Sequence, residues 1–230
     1  MTSSLAAILA LGFVLGLKHA TDADHVVAVT TFVSEQKSLL RSCWIGAFWG
    51  AGHTLSLAIA GIVVILLKIN IPKWLESRLE FAVAVMLVVL GARVLYKLEL
   101  HKHAHTHAPG AVPHAHWHLH KRGTRVEHNG WLHVGLRPML VGMVHGAAGR
   151  GALMLLVLST IHSSLQALLY IVIFGVGSIA GMLLISALLA LPVHWLGARV
   201  ANSYRPIQVL AGLFSCSFGI WLGVEIWQSF

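Results

Sequence analysis

Long apolar runs with very few charges are the feature of this sequence that most constrains its fold. Only 10% of the 230 residues are charged and 57% are hydrophobic, whereas a soluble domain carries roughly 25% charged residues. Runs near 20 apolar residues can cross a bilayer, and lipid offers no hydrogen-bond partners to the backbone, so such runs must be helical. The sequence therefore predicts an all-α polytopic membrane protein.

We predict six transmembrane helices, the fifth of which should end at Pro192. They lie at about residues 5–33, 43–67, 81–98, 138–159, 165–191 and 206–226. Residues 1–98 would form one three-helix unit, 99–136 a polar loop, and 137–230 a second three-helix unit. The net charge of +8 does not indicate nucleic-acid binding, because the basic residues cluster in loops between apolar spans.

The loops after spans one, three and five carry most of these basic residues, which predicts that this side is cytoplasmic. Both termini would then lie outside, and the compact size suggests a bacterial inner membrane.

The two three-helix units show a weak internal repeat. Three short matches share an offset of about 125 to 128 residues: Gly16–His19 with Gly142–His145, Trp49–His53 with Phe174–Ser178, and Leu90-Gly91 with Phe218-Gly219. A three-helix unit repeated in tandem is inverted in the membrane, and transporters built this way hold their substrate where the repeats meet. We therefore predict a 3+3 inverted repeat.

The middle of the first span holds five ionisable side chains within eight residues, from Lys18 to His25. Ionisable groups at membrane depth are costly and mark a functional site by default. His19, Asp22, Asp24 and His25 together suit a first-row divalent ion such as Ni²⁺, Co²⁺, Zn²⁺ or Fe²⁺. The alternative is a buried salt bridge from Lys18 to Asp22 or Asp24 that only fixes helix packing.

Helix geometry limits how this cluster can bind an ion. Residues three or four apart share a helix face, so His19, Asp24 and His25 cannot all reach one ion from a straight helix. Either the helix is unwound here, which is tolerated where the backbone lines a cavity, or only part of the cluster binds. His53 in the second span follows two glycines that permit close helix approach, and it can reach the same ion.

The second unit has lost most of this chemistry. By the register of the repeat, His145 corresponds to His19 and is a weaker candidate ligand, while Arg150 corresponds to Asp24. Arg150 would be a counter-ion that neutralises Asp22 or Asp24 when no metal is bound. Alternatively, Arg150 faces water or pairs with backbone carbonyls.

The polar loop is rich in histidine, a composition typical of metal-binding tracts. Two alternating tracts supply eight candidate auxiliary ligands: His101, His103, His105, His107, His114, His116, His118 and His120. Few apolar residues surround them, so we expect disorder without metal. The loop would collect, buffer or sense ions on the cytoplasmic side, or it is a solvated linker with incidental metal affinity.

Two motifs carry a resemblance to the nickel/cobalt transporter family. The residues from His19 to Asp24-His25 resemble its His-x4-Asp-His motif, and Gly52-His53-Thr54 resembles its second, Gly-His-Ser/Thr motif. The chain is most similar to the short six-helix members of the urease-accessory or high-affinity nickel transport type. The resemblance implies permeation of Ni²⁺ or Co²⁺, with His19, Asp24, His25 and His53 as ligands and Asp22 close by.

These features favour a transporter of Ni²⁺, or of Co²⁺, with uptake preferred over efflux. The metal would be the substrate, so we expect no cofactor and no enzymatic activity; a nickel chaperone or urease or hydrogenase maturation proteins are candidate partners. No phosphate-binding loop is present, which argues against ATP hydrolysis by this chain. A non-transporting metal sensor or delivery partner of a nickel enzyme remains an alternative. An intramembrane metalloenzyme is disfavoured, because no His-Glu-x-x-His is present and the glutamates fall at span ends and in loops.

Overall fold

The computed structural model describes residues 2–67, 72–99, 130–148, 161, 163–199 and 204–228. Seven helices lie within these ranges: α1 (Thr2–His19), α2 (Ala23–Ser34), α3 (Leu39–Leu67), α4 (Lys73–Glu99), α5 (Gly130–Ala147), α6 (Ser164–Arg199) and α7 (Tyr204–Gln228). The described part of the chain is thus all-helical, as predicted.

Four of the described helices, α3, α4, α6 and α7, are long and apolar enough to cross a membrane. The helices α1 and α2 meet the same criterion together, as one span bent by 56°. Many large apolar side chains on these helices are exposed, as lipid-facing residues should be. The chain is a multi-pass membrane protein with four such spans in its described part, or five with the bent pair, and the six-span count stays a prediction.

Three predicted boundaries were wrong, two of them at proline; the other is the start of the third span, since α4 begins at Lys73 rather than at residue 81. The fifth span does not end at Pro192, because α6 continues through it to Arg199. The helix α5 starts at Gly130, ahead of Pro138 and inside the segment predicted as a polar loop. A proline removes one backbone hydrogen bond, but in membrane helices neighbouring groups can satisfy the freed carbonyl. Proline therefore need not end a span. The remainder of the predicted fourth span, 149–160, lies outside the described residues.

Helix packing encloses α2 on several sides. The helix α3 packs against α5 and α6, α1 packs against α6, and α4 packs against α7, while α2 contacts α3, α4, α6 and α7. Nine of the 12 residues of α2 are buried. Its far end is held by an ion pair between Lys97 and Glu35, 2.6 Å apart, and by Gln208, which donates to the Ser34 carbonyl. The first turns of α2 therefore lie at the centre of the bundle.

Glycine permits the closest of these contacts. A Cβ on Gly91 of α4 would collide with the Gly212 carbonyl oxygen and with the Cys216 backbone nitrogen of α7. At this approach the Ser215 hydroxyl donates to the Leu87 carbonyl over 2.8 Å. Backbone-to-backbone contact of this kind is how helices associate in lipid, where no hydrophobic force drives them together.

Replacing Gly91 with alanine should destabilise the protein, because the added methyl group meets backbone that cannot move aside. We expect a loss of about 1–3 kcal/mol, the usual cost of overpacking. Gly223→Ala is the matched control on the same helix pair, since its Cβ would meet only Ala84 and Phe81 side-chain atoms at 3.6 and 3.7 Å. Thermal unfolding of the purified protein in detergent measures both. Equal midpoints for the two variants would contradict the packing argument.

Candidate metal centre

The first membrane span is broken where the sequence cluster lies. The helix α1 ends at His19 and α2 begins at Ala23, with the non-helical residues Ala20 to Asp22 between them. Asp22 occupies the N-cap position of α2 with an extended backbone (φ −59°, ψ 142°), and its side chain makes no capping hydrogen bond. Its carboxylate instead accepts from Nδ1 of His19, 2.9 Å away. Of the two alternatives that the residue spacing left open, the structure has the interrupted helix.

The break brings the His19 and His25 rings together in an edge-to-face arrangement. Their ring centroids are 4.6 Å apart, and His53 of α3 completes a triangle at 5.0 Å from His19 and 4.9 Å from His25. One nitrogen from each of the three rings lies within 4.8 Å of the other two, an arrangement that could hold a metal ion. The side chains are at most 7% exposed. We call these residues the three-histidine group.

Hydrogen bonds to carboxylates determine which ring nitrogen of His19 and of His25 is available to a metal. The Asp22 carboxylate accepts a hydrogen bond from Nδ1–H of His19, and the Asp24 carboxylate accepts one from Nδ1–H of His25 over 3.0 Å, which leaves Nε2 of both rings as a bare acceptor. Carboxylates that orient the ligating imidazole from behind are the common outer shell of metal sites. His19 and His25 thus present unprotonated nitrogen, the form that binds a metal.

The separation of the Nε2 atoms of His19 and His53 is 2.9 Å. Two nitrogens bound at right angles, each roughly 2.0–2.1 Å from a metal, would lie about 2.9 Å apart. Right-angled ligands belong to square-planar or octahedral ions rather than tetrahedral ones. Without an ion, the same distance suits a hydrogen bond from Nε2–H of His53 to Nε2 of His19.

A second group of possible ligands adjoins the first and shares His25. Asp24 of α2 and His145 of α5 join it, again with one ligand atom each within 4.8 Å. Nε2 of His145 is 3.1 Å from Oδ2 of Asp24, and the His25 and His145 ring centroids are 4.2 Å apart. We call Asp24, His25 and His145 the aspartate group.

Several ring nitrogens of both groups are buried and have no hydrogen-bond partner among the described residues. They are Nε2 of His25, Nδ1 of His53 and Nδ1 of His145. Buried polar atoms are nearly always satisfied in folded proteins, and exceptions call for an explanation such as an ion. The orphaned Nε2 of His25 lies on the one residue that both groups share.

A small cavity of about 10 Å³ lies between the two groups. This is close to the ~10–15 Å³ that one water molecule requires, so a bare ion fits and a hydrated one does not. The histidines of both groups and Asp24 line it, together with four residues that the sequence did not single out: Glu80, Val83, Ala148 and Leu222. Glu80 lies in the second turn of α4, near the end of the span, as predicted from the sequence. Its only sequence signal was its position at the start of an apolar run.

The salt-bridge alternative for the cluster finds no support. Lys18 is exposed, and among the described residues no ion pair joins it to Asp22 or Asp24. The six candidate ligands, in contrast, lie together. Five of them are buried and line one cavity: His19, Asp24, His25, His53 and His145. The sixth, Asp22, is 41% exposed and contacts His19 at the edge of the site. Arg150 and the histidines of the two loop tracts lie outside the described residues.

Comparison with known proteins yields one informative relative. The chain is 39% identical over 217 residues to the urease accessory protein UreH of Bacillus sp. (strain TB-90), a match that covers 94% of this chain and 90% of that protein. No protein-family model matches the chain, and no solved structure matches it. Identity of this level over nearly the whole length shows common descent, and the predicted resemblance is confirmed. The chain belongs to the UreH family of urease accessory proteins, of the type that resembles nickel/cobalt transporters.

Proposed function

We propose that this protein carries a divalent transition-metal ion across the membrane, Ni²⁺ in the first place and Co²⁺ in the second, in the uptake direction. The observation that carries the proposal is the three-histidine group, buried at a helix break in a bundle of apolar helices. Imidazole nitrogen suits first-row ions, and soft sulfur ligands that would favour Cu⁺ are absent from both ligand groups. The relative's name ties that protein to urease, a nickel enzyme, and an accessory role supports a helper rather than a catalyst.

The two ligand groups suggest how an ion moves. An ion held by His19, His25 and His53 is next to Asp24 and His145, and His25 belongs to both sets. Because the sets share a ligand, the ion can pass from one to the other without ever losing all its protein ligands. Conduction requires binding that is favourable enough for entry and is either weak or divided over several sites for exit, and two adjoining ligand sets meet the second condition.

Binding should also displace protons. In the absence of metal, the imidazoles are held by hydrogen bonds to each other and to carboxylates. Ligands must be deprotonated to bind, so lower pH should weaken binding, and metal movement can be coupled to proton movement. Membrane potential or a proton gradient would then supply the energy, in line with the missing ATP-binding loop.

The inverted repeat belongs to the same proposal, and equivalent contacts support it. Gly16 of α1 packs on the Phe174 carbonyl of α6, and its counterpart Gly142 of α5 packs on the Trp49 carbonyl of α3. The aromatic rings repeat the pattern: the Phe174 ring lies 5.7 Å from His19, and the Trp49 ring lies 5.6 Å from His145. The cavity would then lie between the two units, the usual place for a transporter's substrate.

The remaining elements of the proposal lie outside the described residues. The His-rich loop, on the predicted cytoplasmic side, would receive arriving ions, and Arg150 would balance the carboxylates of the empty site. The loop charges predict that both termini lie outside, and the compact size suggests the inner membrane of a bacterium. Cell-associated nickel tests the direction: expression should raise it, and a fall would mean efflux.

His53→Ala should abolish most Ni²⁺ flux into proteoliposomes, because it removes one of three buried ligands. We expect a loss of at least about tenfold, the lower end for damaged metal sites. His194→Ala is the matched control, since His194 is an exposed histidine near the end of α6. Wild-type flux in the His53 variant would overturn the assignment of the site. Metal binding without flux by the wild-type protein would indicate a sensor or delivery protein instead.

His145→Gln should separate the two ligand groups. The variant keeps the three-histidine group, so equilibrium Ni²⁺ binding should stay within about threefold of wild type, while flux should fall at least about tenfold, the size expected for loss of a metal-site partner. Calorimetry on purified protein and vesicle flux provide the two measurements. Unchanged flux would show that the ion does not pass through the aspartate group.

A further inference from the structure

The cavity beside the metal ligands has a second wall that the ligand groups do not explain. Glu80 and Val83 of α4, with Leu222 of α7, face the imidazoles across it. Val83 and Leu222 are 3% and 2% exposed, whereas Glu80 is half-buried. Glu80 is thus the one residue of this wall that combines a charge with partial access to solvent.

The position of Glu80 along α4 places it between the cluster and the end of the helix. The helix begins at Lys73, so Glu80 lies in its second turn, roughly 10 Å from the start at 1.5 Å per residue. Val83 follows three residues later on the same face and also lines the cavity. Of these two lining residues, Glu80 is therefore the nearer to the start of α4, on the side predicted as external.

Neither ligand group includes Glu80. Resting metal binding therefore does not need its carboxylate.

An ion that crosses this wall must exchange water for protein ligands. The cavity is too small for a hydrated ion, and Val83, Ala148 and Leu222 supply no ligand atoms. Stripping water from a divalent ion beside apolar walls is costly unless another charge compensates. A carboxylate at the boundary can take the place of lost water, since oxygen ligands bind divalent ions and exchange readily.

We propose that Glu80 is a transfer ligand, which means that it binds the ion briefly as the ion moves between the cavity and the water at the Lys73 end of α4. It takes up the ion as hydration is lost and passes it to the three-histidine group, without belonging to the resting site. This role rests on the proposed metal transport. A negatively charged group at the mouth of a low-dielectric cleft also concentrates cations and raises their rate of arrival by roughly 10- to 1,000-fold.

The test compares Glu80→Gln with Glu76→Gln. Glu76 carries the same charge one turn earlier on α4 but does not line the cavity. Both proteins are reconstituted into vesicles for Ni²⁺ flux below saturation, and equilibrium Ni²⁺ binding is measured on the purified proteins. Glu80→Gln should lower flux at least about tenfold, with binding affinity within about twofold of wild type. Glu76→Gln should change neither.

Further measurements distinguish a role of Glu80 in ion transfer from a purely structural role. Glu80→Asp should recover part of the flux because it restores the charge, and the thermal midpoint of Glu80→Gln should match that of Glu76→Gln. Flux through the wild-type protein should fall with rising ionic strength, whereas flux through Glu80→Gln should depend on it less.

Three outcomes would overturn the inference while leaving metal transport intact. They are equal flux in the two glutamine variants, a parallel loss of binding and flux in Glu80→Gln, or a lowered thermal midpoint with no recovery in Glu80→Asp. Absence of Ni²⁺ flux in the wild-type protein is a different result, because it overturns the proposed function itself and the role of Glu80 with it.

Discussion

The three residues between α1 and α2 are the feature on which the rest of the site depends. In a continuous helix His19 and His25 would point to different sides, since six residues do not complete a whole number of turns. The break at Ala20 to Asp22 bends the span by 56° and brings the two rings within 4.6 Å. Broken backbone at membrane depth is tolerated only inside protein or beside a cavity, and α2 meets that condition because four other helices enclose it.

Close helix packing at glycine residues brings the remaining ligands to the site. A Cβ at Gly52 of α3 would collide with the Met139 carbonyl of α5, and one at Gly146 of α5 would collide with the His53 carbonyl. These contacts bring His53 and His145 from two helices to the broken span. The side chains that meet there are imidazoles backed by carboxylates, so the packing and the chemistry depend on the same few helix crossings. A centre built this way is narrow, which suits an ion that has lost its water.

The position of a residue in the sequence does not show whether it reaches the site, and Glu80 is an example. In the sequence it is one of several acidic residues near the start of an apolar run, with Glu76 a turn away. The two glutamates share a face of α4, and only the tertiary structure shows that Glu80, not Glu76, lines the cavity. His145 is a milder case: the repeat register marked it as a weak candidate, whereas the fold places it against Asp24 and His25.

The sequence by itself indicated the membrane class and the helical fold, named the candidate ligands, and offered a broken first span as one of two possibilities. Each of these follows from local rules: charge is costly in lipid, the backbone must satisfy its own hydrogen bonds, and helix periodicity limits which side chains share an ion. The tertiary structure alone decided how the ligands divide into two groups with His25 in common, and which glutamate joins them. Such choices depend on the crossing of helices far apart in the chain. They depend on the distances between helices at glycine contacts, and no local sequence pattern specifies these distances.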